Sequence, residues 1–368
     1  MRNNRNTTIH PTPNRAPARI KMFSLQLAAL LALGGVSAKA AAGAYQQVNL
    51  VSDLAGAAIL QDTNLVNAWG ISFGSTTPFW VSANGTGKAT LYAVTNNALG
   101  VVQVTKQGLE VNIPGEGNPT GQVFNNLGGF NGDIFLFASE DGTISGWRGA
   151  LGTNAEVLAT RSNAVYKGIA LASTANGPVL LAANFAEATV DVYGTNGALI
   201  MQLQDTAAPA GYAPFNVQSV NGMIFVTFAV QDADKHDDVP GPGHGLIDIL
   251  DPQTGAFHRF VTGTDAGGRN HQIDSPWGVA LAPASFGRHA NQMLVGNFGS
   301  GTIMTFDETG KFHGLLRAPN SHPIVIDGLW GLTFGNGGRG GSPGTLYFSA
   351  GPDGESHGLF GSLVPIPK

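Results

Sequence analysis

Residues 231–238 read Gln231-Asp232-Ala233-Asp234-Lys235-His236-Asp237-Asp238, and 240–245 read Pro240-Gly241-Pro242-Gly243-His244-Gly245. Four carboxylates and two histidines thus fall close together in a chain where only 12% of residues are charged. Carboxylate oxygens suit calcium or magnesium, and imidazoles suit zinc or proton transfer. The run is not an EF-hand, because the twelfth position counted from Asp232 is Gly243 and not glutamate. Asp232, His236, Asp237 and His244 are therefore candidate catalytic groups, with Asp232, His236 or Asp237 as the base. The plainer reading is a solvated acidic loop with a Pro/Gly tail.

A second set comes from laying the chain's internal repeats over one another. Asn84, Asn184 and Asn297 each follow an expected second strand, and Glu140 and Gln231 fall near the same place in two other repeats. A ring of amide oxygens with one carboxylate would hold a divalent cation, Ca2+ first among them, or a polar ligand. Asparagine also closes turns at strand ends by bonding its own backbone, which is the competing reading. Asp327, just before Gly328-Leu329-Trp330, is a further candidate acid. Trp69, Trp277 and Trp330 each precede a glycine and serve either as packing between repeats or as a platform for a sugar ring. His271 and His322 sit in loops and are read as solvated.

The elements that position these residues repeat every ~50 residues, a spacing of solenoids and propellers. Ala68-Trp69-Gly70-Ile71-Ser72-Phe73 matches Trp277-Gly278-Val279-Ala280-Leu281-Ala282 and Trp330-Gly331-Leu332-Thr333-Phe334-Gly335, with a weaker copy at Lys167-Gly168-Ile169-Ala170-Leu171-Ala172. A glycine-rich turn and three more strands follow each. Four strands per repeat is a propeller blade. First strands are expected near Ala68, Gly121, Lys167, Asn216, Trp277 and Trp330, so the fold is all-β, a six-bladed β-propeller with four antiparallel strands per blade. The last repeat shows only three strands, and an unassigned one lies at 46–51. The N-terminal strand is expected to close the last blade. Long loops at 52–67, 107–120, 231–245, 263–275 and 318–327 share one face, and any site is placed there.

Composition agrees. Glycine is 52 of 368 residues, about twice the usual share, and there is no cysteine. Disulfides, thiolate catalysis and Cys-ligated zinc are excluded. The net charge is −5 with no basic run past the N-terminus, which speaks against a nucleic-acid partner. Residues 335–340 fit G-x-G-x-x-G and 340–344 fit G-x-S-x-G. Both lie in one turn between strands and lack the strand–helix setting that their chemistry needs.

Residues 1–21 carry five basic groups and no acid; 22–33 are mostly apolar; Ala38-Lys39-Ala40 follows. That is the layout of a signal peptide. Residues 1–40 are expected to be cleaved, leaving 41–368 as one exported, periplasmic or extracellular propeller domain without a membrane span and as a monomer.

The segments Leu65-Val66-Asn67-Ala68-Trp69-Gly70-Ile71, Asp141-Gly142-Thr143-Ile144-Ser145-Gly146-Trp147, the 231–238 run, Ser275-Pro276-Trp277-Gly278 and Ile326-Asp327-Gly328-Leu329-Trp330-Gly331-Leu332 together resemble an uncharacterised family of exported bacterial propellers. Some members carry a C-terminal PEP-CTERM sorting tail. This chain stops after the last blade, which implies release or periplasmic residence. The chain is more loosely similar to NHL-like and gluconolactonase-like propellers, whose lactonases hold a divalent cation at the channel mouth with Glu, Asn and Asp. That resemblance implies Asn84, Glu140, Asn184 and Asn297 as metal ligands. Two readings follow: a scaffold that binds a small molecule, polysaccharide or protein on its long-loop face, and a metal-dependent hydrolase of the lactonase type.

Overall fold

The computed structural model describes residues 43–97, 99–263 and 272–367; the expected signal segment and His271 lie outside them. The described chain forms six sheets, antiparallel except where the two-residue strand Leu60–Gln61 pairs parallel with Tyr45–Ser52 at the edge of one. Their innermost strands are Ala68–Ser72, Pro119–Phe124, Tyr166–Thr174, Tyr212–Val220, Pro276–Leu281 and Leu329–Phe334, each packed against the next so that the ring closes. These begin blades 1 to 6 at the six expected places. No helix among the described residues is long and apolar enough to cross a membrane.

Closure takes the expected form. Blade 6 contains Leu329–Phe334, Leu346–Ala350 and Leu359–Pro365, and its outer strand is Tyr45–Ser52. That strand pairs antiparallel with Leu359–Pro365, from Tyr45 opposite Pro365 to Ser52 opposite Leu359. Backbone bonds between the two ends of the chain thus do the work a disulfide does elsewhere. Leu50 and Val51 are fully buried against Phe79, Tyr92 and Phe360, so the closure also carries core.

The Trp-Gly repeat has a steric cause. Neighbouring inner strands approach so closely that a Cβ on Gly70 would lie 2.5 Å from the Thr120 carbonyl oxygen, and one on Gly278 would lie 2.6 Å from that of Trp330. Only glycine fits there without moving backbone. Side-chain amides then lock adjacent blades. Gln122 Nε2 donates to the carbonyls of Gly70 at 2.7 Å and Trp80 at 3.0 Å. Asn216 Nδ2 donates to Trp277 O at 2.8 Å. The apolar core lies between blades, as where Leu181 and Val192 of blade 3 meet Val226 and Phe228 of blade 4.

One loop is shorter than the sequence suggested. The stretch 107–120 was expected as a long loop, but the outer strand of blade 1 runs Val102–Asn112 and pairs with Lys88–Asn96. Its partner strand supplies enough backbone bonds to extend pairing across Gly108. The loop proper is 113–118.

Candidate functional site

Five of the six inner strands place a large side chain at one level of the axis: Trp69, Lys167, Phe215, Trp277 and Trp330. Trp69 and Trp330 stack at 3.8 Å, Phe298 stacks on Trp330 at 3.9 Å, and Trp277 meets Trp330 edge-on at 6.0 Å. All three tryptophans are buried. They pack together and form a floor across the axis on the loop face.

Lys167 occupies in blade 3 the position that tryptophan holds in blades 1, 5 and 6. Its side chain is 1% exposed. The Nζ donates to Glu140 Oε1 at 2.5 Å and to Asp237 Oδ1 at 3.2 Å, and lies 5.1 Å from the Trp69 ring centroid. Burial works against the ammonium, but Glu140 and Asp237 outweigh it and hold its pKa above the ordinary value.

The network continues across the ring. Asn84 Nδ2 donates to Glu140 Oε2 at 3.0 Å. Asn67 Nδ2 donates to Asn84 Oδ1 at 3.3 Å and to Glu355 Oε2 at 2.6 Å, and Trp330 Nε1 donates to Asn67 Oδ1 at 3.1 Å. Burial pushes the Glu355 carboxyl up, against the Asn67 bond, and the nearby Glu140 charge adds to the rise. Asn67 and Glu355 both hold left-handed backbone, at φ 47° and 66°. A non-glycine residue in that region marks a position held by its surroundings.

The acidic loop folds over this cluster. Asp232 pins it from within: its N–H donates to Asp237 O at 2.8 Å, and its Oδ1 accepts the His236 N–H at 2.9 Å. His236 Nδ1 lies 3.0 Å from Asp237 Oδ1, on the solvent side. Burial raises the Asp237 pKa, but Lys167 and His236 outweigh it and hold the carboxyl below its usual range. Asp238, beside Ser275, is pushed up to about 6 by burial. Asp274 Oδ1 accepts the Gly241 N–H at 2.7 Å and ties the Pro/Gly tail of the loop to blade 5.

Among the sequence candidates, Asn84, Glu140, His236 and Asp237 therefore come together. The others are engaged elsewhere. Asn184 Nδ2 donates to Glu187 at 2.7 Å and Asp191 at 3.2 Å, within blade 3. Asn297 Oδ1 accepts the Asp274 N–H at 3.0 Å, and its Nδ2 donates to Thr302. Among the described residues, the three asparagines share no hydrogen-bond partner. His244 Nδ1 bonds Val239 O at 2.8 Å, on the far limb of the loop. Exposed Asp327 accepts the Asp353 N–H at 2.8 Å and anchors the turn that carries Glu355. Asp232 acts as a loop brace. Gln231 Nε2 bonds Phe185 O at 2.5 Å.

Three members, Asn67, Lys167 and Glu355, were not singled out as site residues from sequence; Asn67 entered only as part of the Leu65–Ile71 segment. Lys167 had a signal, since the repeats align it with Trp69, Trp277 and Trp330. Glu355 had none, because Asp353-Gly354-Glu355 reads as an ordinary turn.

Glu140, His236 and Asp237 offer ligand atoms within 4.8 Å of one another, a grouping that suits a metal ion. Two of the three already hold the Lys167 ammonium. A divalent ion about 4 Å from that ammonium would meet a repulsion of about 8 kcal/mol at an effective dielectric of ~20. The donor set fits a metal only if Lys167 moves.

Comparisons agree with the fold. The solved structure of a streptogramin B lyase matches with a TM-score of 0.50 and 14% identity, over 88% of this chain and 97% of that one. At that identity the likeness is one of fold, and the six sheets of this chain set its class as a six-bladed β-propeller. No protein-family model matches the chain. Two uncharacterised proteins of Acanthamoeba polyphaga mimivirus are similar along most of their length. L690 is 28% identical over 331 residues, covering 82% of this chain and 81% of the viral one. R648 is 28% identical over 340 residues, covering 85% and 78%. These relatives are viral, whereas the sequence resemblance pointed to bacterial propellers.

Proposed function

We propose that this chain is an exported binding propeller that engages a small polar ligand, a polysaccharide or a protein partner on its loop face, over the Glu140–Lys167–Asp237 cluster. The observation that carries this reading is Lys167. An ammonium buried at the axis is costly unless paired, and here it is paired by carboxylates from two other blades. The cluster is thus pre-set, with Asp237 and His236 as its solvent-facing edge and an aromatic floor beneath. Long loops on one face of a rigid ring are where recognition is usually built. Export rests on the basic segment, apolar run and Ala38-Lys39-Ala40 of residues 1–40, and agrees with membership of the bacterial family that the sequence resembles.

The second reading, a metal-dependent hydrolase of the lactonase type, is favoured by the Glu140, His236 and Asp237 grouping. One set of measurements separates the two. The purified protein is titrated calorimetrically with an oligosaccharide, lactone and carboxylate panel, beside Asp237→Ala, with elemental analysis after dialysis. The binding reading expects a saturable ligand, at least tenfold weaker binding in D237A, and no turnover. About one calcium or zinc per chain together with lactone turnover would replace it with the hydrolase.

A further inference from the structure

The axis holds a second feature, on the other side of the aromatic floor. A cavity of about 300 Å³ lies among the halves of the inner strands that lead away from the loop face, with Trp277 among its lining. Its volume is at the lower end of small-molecule sites. Among the described residues, no charged side chain lines it.

Three amide side chains in its wall, Gln122, Asn216 and Gln218, can be followed bond by bond. Gln122 spends both amide hydrogens on Gly70 O and Trp80 O, and its Oε1 accepts only Ser72 Oγ at 3.2 Å. Gln218 Oε1 is filled by the Val279 N–H at 3.0 Å and Asn216 Nδ2 at 3.3 Å. Its Nε2 donates once, to Leu332 O at 3.3 Å, so one hydrogen is unspent. Asn216 is 3% exposed and spends both hydrogens, on Gln218 and on Trp277 O. Its carbonyl oxygen has no hydrogen-bond partner among the described residues. That oxygen lies beside the Gly168 backbone, 1.8 Å from where a Cβ on that glycine would sit. The wall therefore presents an open acceptor on Asn216, a half-open acceptor on Gln122 and an open donor on Gln218. Phe73 and Phe124, both half-buried, supply apolar surface toward the entrance.

We infer that this axial cavity binds a small neutral polyhydroxylated molecule, a polyol or monosaccharide, entering from the face opposite the loop face. A hydroxyl both donates and accepts, which matches Asn216 Oδ1 and Gln218 Nε2 together. An ion entering here would lose its hydration with no charge to pair it. The aliphatic faces of a polyol pack on Phe73 and Phe124. The site is separate from the loop-face cluster and does not depend on the reading given for it.

The test is saturation-transfer NMR on the intact protein with D-glucose, myo-inositol and glycerol, and acetate as the charged probe. Ser219→Trp fills the cavity entrance from an exposed position, and Asn126→Trp does so from another blade, so one misfolded variant does not end the test. The expected result is transfer to at least one polyol, at least tenfold weaker binding in both rim variants, and no transfer to acetate. Absence of transfer to all three polyols, which would leave a cavity holding water alone, overturns the inference. So does transfer that persists in folded S219W and N126W.

Discussion

Replacing Lys167 by methionine tests the central claim, that a buried ammonium organises the loop-face cluster. The size of the effect can be worked from its two carboxylate partners. The Asp237 side chain is 66% exposed, so losing Lys167 returns it to water at little cost, under ~1 kcal/mol. The Glu140 side chain is 11% exposed and keeps only the Asn84 bond, so its charge is left buried without a counter-ion. Breaking one half of such a pair typically costs about 3–5 kcal/mol. Methionine fills a similar volume and keeps a sulfur–aromatic contact near Trp69 in place of the cation–π one. The expected loss is therefore about 3 kcal/mol at pH 8, or about 6 °C in the thermal midpoint of a protein of this size.

The pH dependence sharpens that test. In the wild type, the Lys167 pKa is raised on folding. Its contribution is fully present below the unfolded value of about 10.4 and is lost only as pH rises through the folded value, so it is constant from pH 5 to 9. Adding Glu140→Gln removes the stranded charge, and K167M/E140Q should recover to within about 1 kcal/mol of wild type. Urea midpoints for the four proteins of the cycle, at pH 8 and pH 5, supply the measurement. A K167M protein within 0.5 kcal/mol of wild type, or a double variant whose cost is the sum of the singles, would refute the reasoning.

Two more predictions follow from other parts of the ring. Asp248, buried beside Asp205 and Arg259, is pushed up to about 7 by burial. Folding therefore takes up protons between about pH 4 and 7, and this group's contribution falls as pH rises through that window. Asp248→Asn should flatten the urea midpoint between pH 4.5 and 7.5; an unchanged slope would sink the assignment. Deleting residues 43–52 removes the strand that closes blade 6 and exposes the Leu359–Pro365 edge. The expected product is aggregated or non-cooperative in circular dichroism and size-exclusion chromatography, and a monomer with the wild-type midpoint would show that closure is dispensable.

The architecture was readable because its causes are local. Trp-Gly segments and polar turns recur every ~50 residues, and glycine stands at the close approach of inner strands in five of the six blades, so weak copies support one another. The N-terminal strand at 46–51 could be assigned because the last repeat lacked one. The extended pairing of Val102–Asn112 was missed because Gly108 and the polar residues around it read as loop until Lys88–Asn96 lies alongside.

The site was readable only in part. Residue types and repeat positions picked out Asn84, Glu140, His236 and Asp237. They gave Asn184 and Asn297 the same standing, although those amides are taken by Glu187, Asp191, Asp274 and Thr302. Lys167 stands at a tryptophan position and looked like strand; Glu355 stands in a featureless turn. The sequence by itself determined the blades, their number and their closure, because the ~50-residue repeat is written in the order of residue types and each copy folds as the same four-strand unit. Tertiary structure alone decided which side chains meet at the axis. Asn67, Asn84, Glu140, Lys167, Asp237 and Glu355 come from loops and strands of five blades, and a charge settles on whichever partner the ring brings within bonding distance.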